Sequence, residues 1–308
     1  MTANPNDAFV TTHKYPQNYI LRNDVEHFPK IKALIDAKNQ RVDTHVLHEP
    51  LFIVGDLREM NLASELGTKF ESILIDPPWF EYHARAGGFP PTCKHRGEDT
   101  TPWTFEEIMN LRIGDIAADQ SFSFLWCGNK HVQQGTECLL RWGFKRIEDI
   151  CWVKTNESNT HLHPRCNFLP YGVTEVLYTT KEHLLVGIKG TVSRSMDNYL
   201  IHANVDSDVM IAEQAPFGCM MKPQETYRMI ERFCNSQRRL ELFGSDHNLR
   251  PGWVTVGKDI MTGPSNYVPQ TYIDLTRIEQ RFVPTNDLIE KLRPRSPVNR
   301  SRTPTPPG

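Results

Sequence analysis

Residues 70–83 read FESILIDPPWFEYH, and this stretch decides the fold. An apolar run, Ile73 to Ile75, stops abruptly at Asp76-Pro77-Pro78-Trp79. Continuous apolar runs of this kind are typical of strands buried on both faces of a parallel sheet. In open α/β sheets, ligands bind beyond the carboxyl ends of the strands, which is where Asp76 falls. The stretch therefore predicts a buried strand that ends in a ligand-binding turn.

Eight short apolar runs alternate with helical patterns along the chain. This alternation predicts an α/β fold whose sheet is mostly parallel, has about eight strands and carries helices on both faces. The runs are LFIV (51–54), SILI (72–75), FSFLW (122–126), ICWV (150–153), LLVGI (184–188), VMIA (209–212), LELF (240–243) and WVTV (253–256).

Three local signals place the helices between these runs. Thr104 and Glu107 fit a capping box at the start of a helix. Gly143 suits the left-handed residue that ends a helix over 133–142. Pro223 can open the helix QETYRMIERF, where its missing N–H is not needed.

The order of segments predicts one main domain with appendages. The helical spacing before the first strand indicates an outer helix, and the basic, proline-rich end has the composition of a disordered tail. The segments are a flexible N-terminus (1–17), an outer helical segment (18–50), the main domain (51–260), a C-terminal extension (261–290) and the tail (291–308). Loops at 83–102 and 156–172 are long enough to be functional.

Composition excludes several classes of function. The net charge of −2 means that any binding to nucleic acid must depend on local basic patches. No apolar run approaches the roughly 20 residues that span a bilayer, and the N-terminus lacks the pattern of a secretion signal. The seven cysteines, never spaced C-x-x-C, predict reduced thiols in cytosol or nucleus. The glycine motifs of nicotinamide and nucleoside-triphosphate sites are absent from the sequence.

The residue types of the turn at Asp76 suit an amino group presented edge-on. Two prolines remove two N–H donors and leave nearby carbonyls to accept hydrogen bonds from a ligand. The Asp76 carboxylate and a proline carbonyl could hold a purine amine with its lone pair toward the methyl sulfonium of S-adenosylmethionine. Trp79 would then stack on the base. The alternative is a structural turn with a buried indole.

Loop residues elsewhere predict a cofactor site at the same sheet edge. Lys222 can meet a carboxylate, and His247 and Asn248 can bond ribose hydroxyls. Asp56, with Leu57 beside it, ends the first strand and could bond the ligand's amino group or simply open a turn.

A loosely metal-like group does not lead to a metal prediction. His161, His163 and Cys166 have no second group of Cys or His ligands to match them, so the sequence predicts no metal site.

Taken together, these residues resemble the eukaryotic N6-adenosine methyltransferase (MT-A) family, from about Pro16 to Lys258. Segments such as PQNYI, WTFEEIMNL, EDICWVKTN and KEHLLVGIKGTVSRS are similar to its methyltransferase-like protein 14 branch, and LRPRSPV resembles the end of fungal members. The resemblance implies a Rossmann-like methyltransferase fold, S-adenosylmethionine as family cofactor, a nuclear location and a catalytic paralogue as heterodimer partner.

The sequence also departs from the family pattern. Animal members of this branch are inactive partners and carry E-P-P-L at this position. This chain has D-P-P-W there, and plant members have the same acid and aromatic residue. Lys258 and Asp259 stand where the catalytic branch has Asn-Gln, and Ser245 replaces an arginine.

By position, the resemblance carries RNA contacts over to Lys145, Arg146 and Arg194, with Ser193 where a second lysine is expected. Such residues would bind phosphates with little sequence choice. The alternative is a solvated charged face.

The leading hypothesis is a subunit of a messenger-RNA N6-adenosine methyltransferase that braces a catalytic paralogue and binds RNA. One alternative is an active adenine methyltransferase on RNA or DNA, with Asp76 to Trp79 as the base clamp. Another is a regulatory, transcription-associated binding module. A measurement of cofactor binding would separate the active methyltransferase from the other two hypotheses.

Overall fold

The computed structural model describes residues 48–80, 103–155, 180–191, 208–213, 221–234 and 238–279, together with helical positions between 32 and 40. The predicted loops at 83–102 and 156–172, the first 17 residues and the tail from 291 lie outside the described residues.

One eight-stranded sheet organises the described part of the chain, with strand order β1-β8-β7-β2-β3-β5-β4-β6. Strand β5 runs antiparallel to both of its neighbours, and every other pairing in this sheet is parallel. The prediction of a mostly parallel sheet is therefore confirmed, with a strand at each of the eight predicted runs. The strands are β1 (Leu51–Val54), β2 (Phe70–Ile75), β3 (Ala117–Cys127), β4 (Lys145–Thr155), β5 (Lys181–Lys189), β6 (Val209–Glu213), β7 (Arg239–Leu242) and β8 (Trp253–Gly257).

Helices cover both faces of this sheet. One hydrophobic core packs five helices against one face of the sheet, and a second core packs the helix Glu225–Phe233 against the other face. The helices are α1 (Leu62–Leu66), α2 (Phe105–Met109), α3 (Ile113–Ile116), α4 (Val132–Arg141), α5 (Glu225–Phe233) and α6 (Pro269–Glu279). None of the described helices is long and apolar enough to cross a membrane.

Helix α6 ties the end of the described chain to the sheet. Its Tyr272 is fully buried and stacks on Phe70 of β2, with ring centroids 5.7 Å apart. The Tyr267 hydroxyl donates to the carbonyl of Leu66 at 2.6 Å. Residues beyond 260 thus complete the same core as the sheet.

The local signals in the sequence are mostly confirmed. Thr104 and Glu107 form the capping box of α2, and Gly143 ends α4 with φ +86°. Helix α5 begins at Glu225 with Gln224 as its N-cap, so Pro223 precedes the helix and is not its first residue. The predicted strand LELF stops one residue early because Phe243 adopts φ +65°, a conformation that breaks strand geometry.

Candidate functional site

Strand directions bring the candidate residues to one edge of the sheet. Parallel strands β2 and β7 end at this carboxyl edge, and the antiparallel β5 begins there. Asp76 therefore lies close to Glu182, the second residue of β5, and to the turn that follows β7. The loop before α5 adds Lys222 to the same place.

The turn after β2 uses its own carbonyls. The Trp79 N–H donates to the Pro77 carbonyl at 2.8 Å, and the Trp103 N–H donates to the Pro78 carbonyl at 3.4 Å. Pro77 is buried and Pro78 is half-buried. Each carbonyl therefore accepts one backbone N–H, and because a carbonyl oxygen has two lone pairs, its bond to a ligand stays a prediction.

Trp79 is a buried structural residue. It is 1% exposed, and its indole N–H donates to the Trp126 carbonyl at 2.7 Å. The ring stacks on His131 with centroids 4.9 Å apart. An indole covered in this way offers no free face to a base in this structure, and the stacking role stays a prediction. The geometry matches the alternative of a turn with a buried indole.

Lys222 holds two carboxylates of the chain itself. Its ammonium lies 2.7 Å from Glu182 and 3.4 Å from Asp76, and Glu182 also accepts from Lys154 at 2.6 Å. We call Asp76, Lys222, Glu182 and Lys154 the buried ion network. Its two acids and two bases balance in charge, which is how a protein tolerates ions away from water.

Electrostatics show how tightly the network is coupled. Burial works to raise the pKa of Glu182, but the charges of Lys222 and Lys154 lower it to about 2. Burial works to lower the pKa of Lys222, but the charges of Asp76 and Glu182 raise it above its ordinary value. Both groups are therefore charged at neutral pH. The sequence predicts that Lys222 meets a cofactor carboxylate, and in this structure Asp76 and Glu182 take that position.

The turn after β7 is held by its own side chains. The Asn248 amide oxygen accepts from the Ser245 N–H at 2.8 Å, and its amide nitrogen donates to the Tyr227 hydroxyl and to Glu241, both at 2.8 Å. His247 is exposed, and its ring lies 2.7 Å from the Ser245 hydroxyl. Asn248 therefore builds the turn, whereas His247 faces solvent.

Sequence reasoning missed Glu241. The residue is 2% exposed, accepts from the Tyr227 hydroxyl at 2.7 Å and leaves its Oε2 atom without a hydrogen-bond partner. Burial raises the pKa of Glu241 to about 8, so the carboxyl is mostly protonated at neutral pH. The signal available in the sequence is a charged residue at the centre of the apolar run LELF.

Asp56 and Leu57 lie at the far side of the sheet. Strand β1 is three strands from β2 in the sheet order, about 14 Å away at the usual strand spacing. Asp56 accepts from the backbone N–H of Arg58 at 2.9 Å and so opens a turn. Leu57 is buried in the core and lines a cavity of about 550 Å³ between α1 and α2. Asp56 thus matches the alternative of an ordinary turn.

Two of the side chains expected to hold S-adenosylmethionine already have partners within the chain. Lys222 is bound by two internal carboxylates, and the Asn248 amide is bonded within its own turn. Among the described residues, the Oε2 atom of Glu241 is a buried carboxyl oxygen beside this turn that lacks a partner. The cofactor contacts stay a prediction.

The predicted RNA contacts lie at the opposite end of the sheet. Lys145 and Arg146 are exposed residues that begin β4, whereas Lys154 of the buried ion network lies near its end. At the usual rise per residue the Cα atoms of Lys145 and Lys154 are about 30 Å apart, although the Arg146 side chain reaches along the strand to Asp149. Arg194 and Ser193 lie outside the described residues.

The described residues contain no group of three or more metal-ligating side chains. His161, His163 and Cys166 lie outside them.

Comparison with known proteins gives the same family as the motifs. The chain is 41% identical over 304 residues to "N(6)-adenosine-methyltransferase non-catalytic subunit METTL14" of Drosophila melanogaster, covering 96% of this chain and 72% of that protein. The Xenopus tropicalis protein of the same name is 39% identical over 303 residues, covering 95% of this chain and 62% of the relative. The mouse "N(6)-adenosine-methyltransferase catalytic subunit METTL3" is 32% identical over 238 residues, covering 76% and 36%. The family model MT-A70 matches residues 70–259. The chain belongs to the MT-A70 family.

Proposed function

We propose that this chain is the non-catalytic subunit of an N6-adenosine methyltransferase complex, in which it braces a catalytic paralogue and binds RNA. The names of its relatives support this function, because the proteins that match nearly the whole chain are non-catalytic subunits. The observation that carries the proposal is the position of Lys222, whose charge is balanced by Asp76 and Glu182. A chain in which the predicted cofactor lysine is already neutralised by internal carboxylates is suited to support rather than chemistry.

Two exposed apolar side chains support the partner role. Leu140 on α4 is 73% exposed and Ile147 on β4 is 42% exposed, and both lie near the connection between these elements. We assign these two side chains to the surface that the partner covers and call them the apolar patch. An obligate interface buries on the order of 2,000 Å² or more, so the patch would be its centre and not its whole extent.

The position of the basic residues supports a shared RNA site. Lys145 and Arg146 lie at the same end of the sheet as Leu140 and Ile147, and far from Asp76. RNA held by these cations would therefore lie beside a partner on the apolar patch.

Co-expression with the catalytic paralogue tests the proposal. We expect a one-to-one complex that survives gel filtration, whereas the chain alone should self-associate through the uncovered patch. Replacing Leu140→Glu should break the complex, while Val268→Glu, at another exposed apolar residue (54%), should leave it intact. A well-behaved monomer that methylates RNA unaided would overturn the proposal.

Two measurements separate the scaffold from the active enzyme. Isothermal titration of S-adenosylmethionine should find no site on this chain alone and one site on the complex. Asp76→Ala should leave methylation by the complex intact, whereas a mutant of the paralogue's catalytic acid should abolish it. Loss of methylation in Asp76→Ala, with the complex still assembled, would favour the alternative of an active methyltransferase.

The nuclear location that the family resemblance implies is part of the same proposal. Imaging of a tagged full-length chain in its own cells tests it.

A further inference from the structure

A carboxylate bridge lies directly behind one of the proposed RNA contacts. Asp149 on β4 places its Oδ2 atom 3.2 Å from the Arg146 guanidinium and its Oδ1 atom 2.9 Å from Nδ1 of His183. The other ring nitrogen of His183 lies 2.7 Å from the amide oxygen of Asn129. We call Arg146, Asp149 and His183 the Asp149 bridge.

The bridge fixes Arg146 without hiding it. One guanidinium nitrogen meets Asp149, and another donates to the Thr136 hydroxyl of α4 at 3.4 Å. Arginine has five N–H donors, so three remain for another ligand. The Arg146 side chain is still 34% exposed. Its guanidinium is therefore held in place and reachable from solvent.

Lys145, the preceding residue, is exposed and makes no ion pair in the described part of the chain. The two neighbouring cations therefore differ in kind. Lys145 presents its full charge, whereas part of the charge of Arg146 is already balanced by Asp149.

We propose that Asp149 is a positioning residue that competes with RNA phosphate for Arg146 and so sets the strength of this contact. The inference rests on the proposed RNA contact at Arg146. Because Asp149 and a phosphate are both anions, each weakens the hold of the other on the guanidinium. The carboxylate thus orients Arg146 while it lowers its affinity for RNA.

His183 keeps Asp149 paired during this exchange. When phosphate draws Arg146 away, the Oδ1 atom of Asp149 keeps its bond to His183. The carboxylate is therefore not left as a half-buried charge without a partner, a state that is strongly destabilising. The pKa of Asp149 agrees with this arrangement, since burial raises it but His183 and Arg146 together bring it below its usual value.

The test measures binding of single-stranded RNA to the intact complex by fluorescence anisotropy over a range of salt concentrations. Asp149→Asn keeps the shape of the side chain and removes its charge. Glu148→Gln is the matched control, because it removes one exposed carboxylate from the adjacent position, which makes no described contact with Arg146. Both are combined with Arg146→Gln, and thermal unfolding checks that every variant is folded. Asp149→Ser is the second variant if the amide destabilises the strand.

We expect Asp149→Asn to tighten RNA binding about two- to fivefold at low salt, the range of a partly exposed ion pair. Glu148→Gln should change it less. Arg146→Gln should weaken binding more in the Asp149→Asn background than in the native one, because the freed guanidinium then meets phosphate with its full charge.

The outcomes separate this inference from the proposed function. If Arg146→Gln weakens binding but Asp149→Asn equals the control or weakens it too, Asp149 does not compete with RNA, and only this inference is overturned. If Arg146→Gln has no effect in either background, Arg146 is not an RNA contact, and both ideas are overturned at this residue. A merely structural role for Asp149 would change the unfolding temperature but not the coupling to Arg146.

Discussion

Strand β4 carries a cation near each end, and the two have different surroundings. Lys154, near the carboxyl end, is 9% exposed and bonded to Glu182 within the buried ion network. Arg146, near the amino end, is 34% exposed and shares Asp149 with a histidine. One strand therefore connects a closed, self-balanced group of charges with an open one.

This difference separates the region where the resemblance predicts cofactor binding from the region where it predicts RNA binding. The end of the sheet where the family motif lies has its described charges paired internally. The other end exposes cations near the apolar patch, the surface that we assign to RNA and to the partner. The contrast depends on environment, because basic residues occur at both ends.

The largest expected effect comes from breaking the buried ion network. Lys222→Met leaves two buried carboxylates without their shared cation, which should lower the free energy of unfolding by about 3–5 kcal/mol. Lys145→Met, at the open end of the sheet, should change it by less than about 0.5 kcal/mol. Urea unfolding of the purified variants measures both. Equal losses would show that the two ends do not differ as described.

A smaller effect should appear at Glu241, beside the same edge. Its pKa is raised to about 8 in the folded chain, against an ordinary value of 4.5. The stability linked to its proton is therefore fully present below about pH 4.5 and is lost as pH rises toward 8, by at most about 1.4 kcal/mol per pH unit.

Glu241→Gln, which mimics the protonated acid, should remove this pH dependence. Urea unfolding at pH 5, 6.5 and 8 measures this. The free energy of unfolding of the native chain should fall relative to that of the variant as the pH rises. Parallel curves would mean that Glu241 is ionised in the fold.

The sequence predicts the sheet better than it predicts the site. All eight strands follow from apolar runs, since burial on both faces needs continuous apolar residues. The same runs bring Asp76 and Lys222 to one edge, and the structure places them together. The burial of Trp79 is not predictable from its four-residue motif. His131, which stacks on the ring, and Trp126, whose carbonyl accepts the indole N–H, lie far along the chain in the turn after β3 and in β3 itself.

Partners across the sheet explain the other differences. Lys222 resembles a ligand for an external carboxylate until Glu182, forty positions earlier, is placed beside it. Asp149 and Glu241 lie within strands, and the family resemblance assigns neither of them a role, so only the packed structure shows which residues they contact. Pairings of this kind depend on strand order, which a local pattern does not contain.

The smallest expected effect concerns RNA binding at the open end. Replacing Lys145, Arg146 and Arg194 together by glutamine should weaken binding of the complex about equally for all RNA sequences. The slope of log K against log salt should also become shallower, by up to about 0.7 for each phosphate that is no longer neutralised. For three replaced residues the slope would therefore change by about two units at most. Lys130→Gln is the comparison, since Lys130 is an exposed cation beyond the end of β3, next to Asn129, which contacts His183 of the Asp149 bridge. Because Asp149 already balances part of the charge of Arg146, the change should fall short of that maximum. A slope altered as much by Lys130→Gln would show that the RNA also runs over the turn after β3 and is not confined to the start of β4.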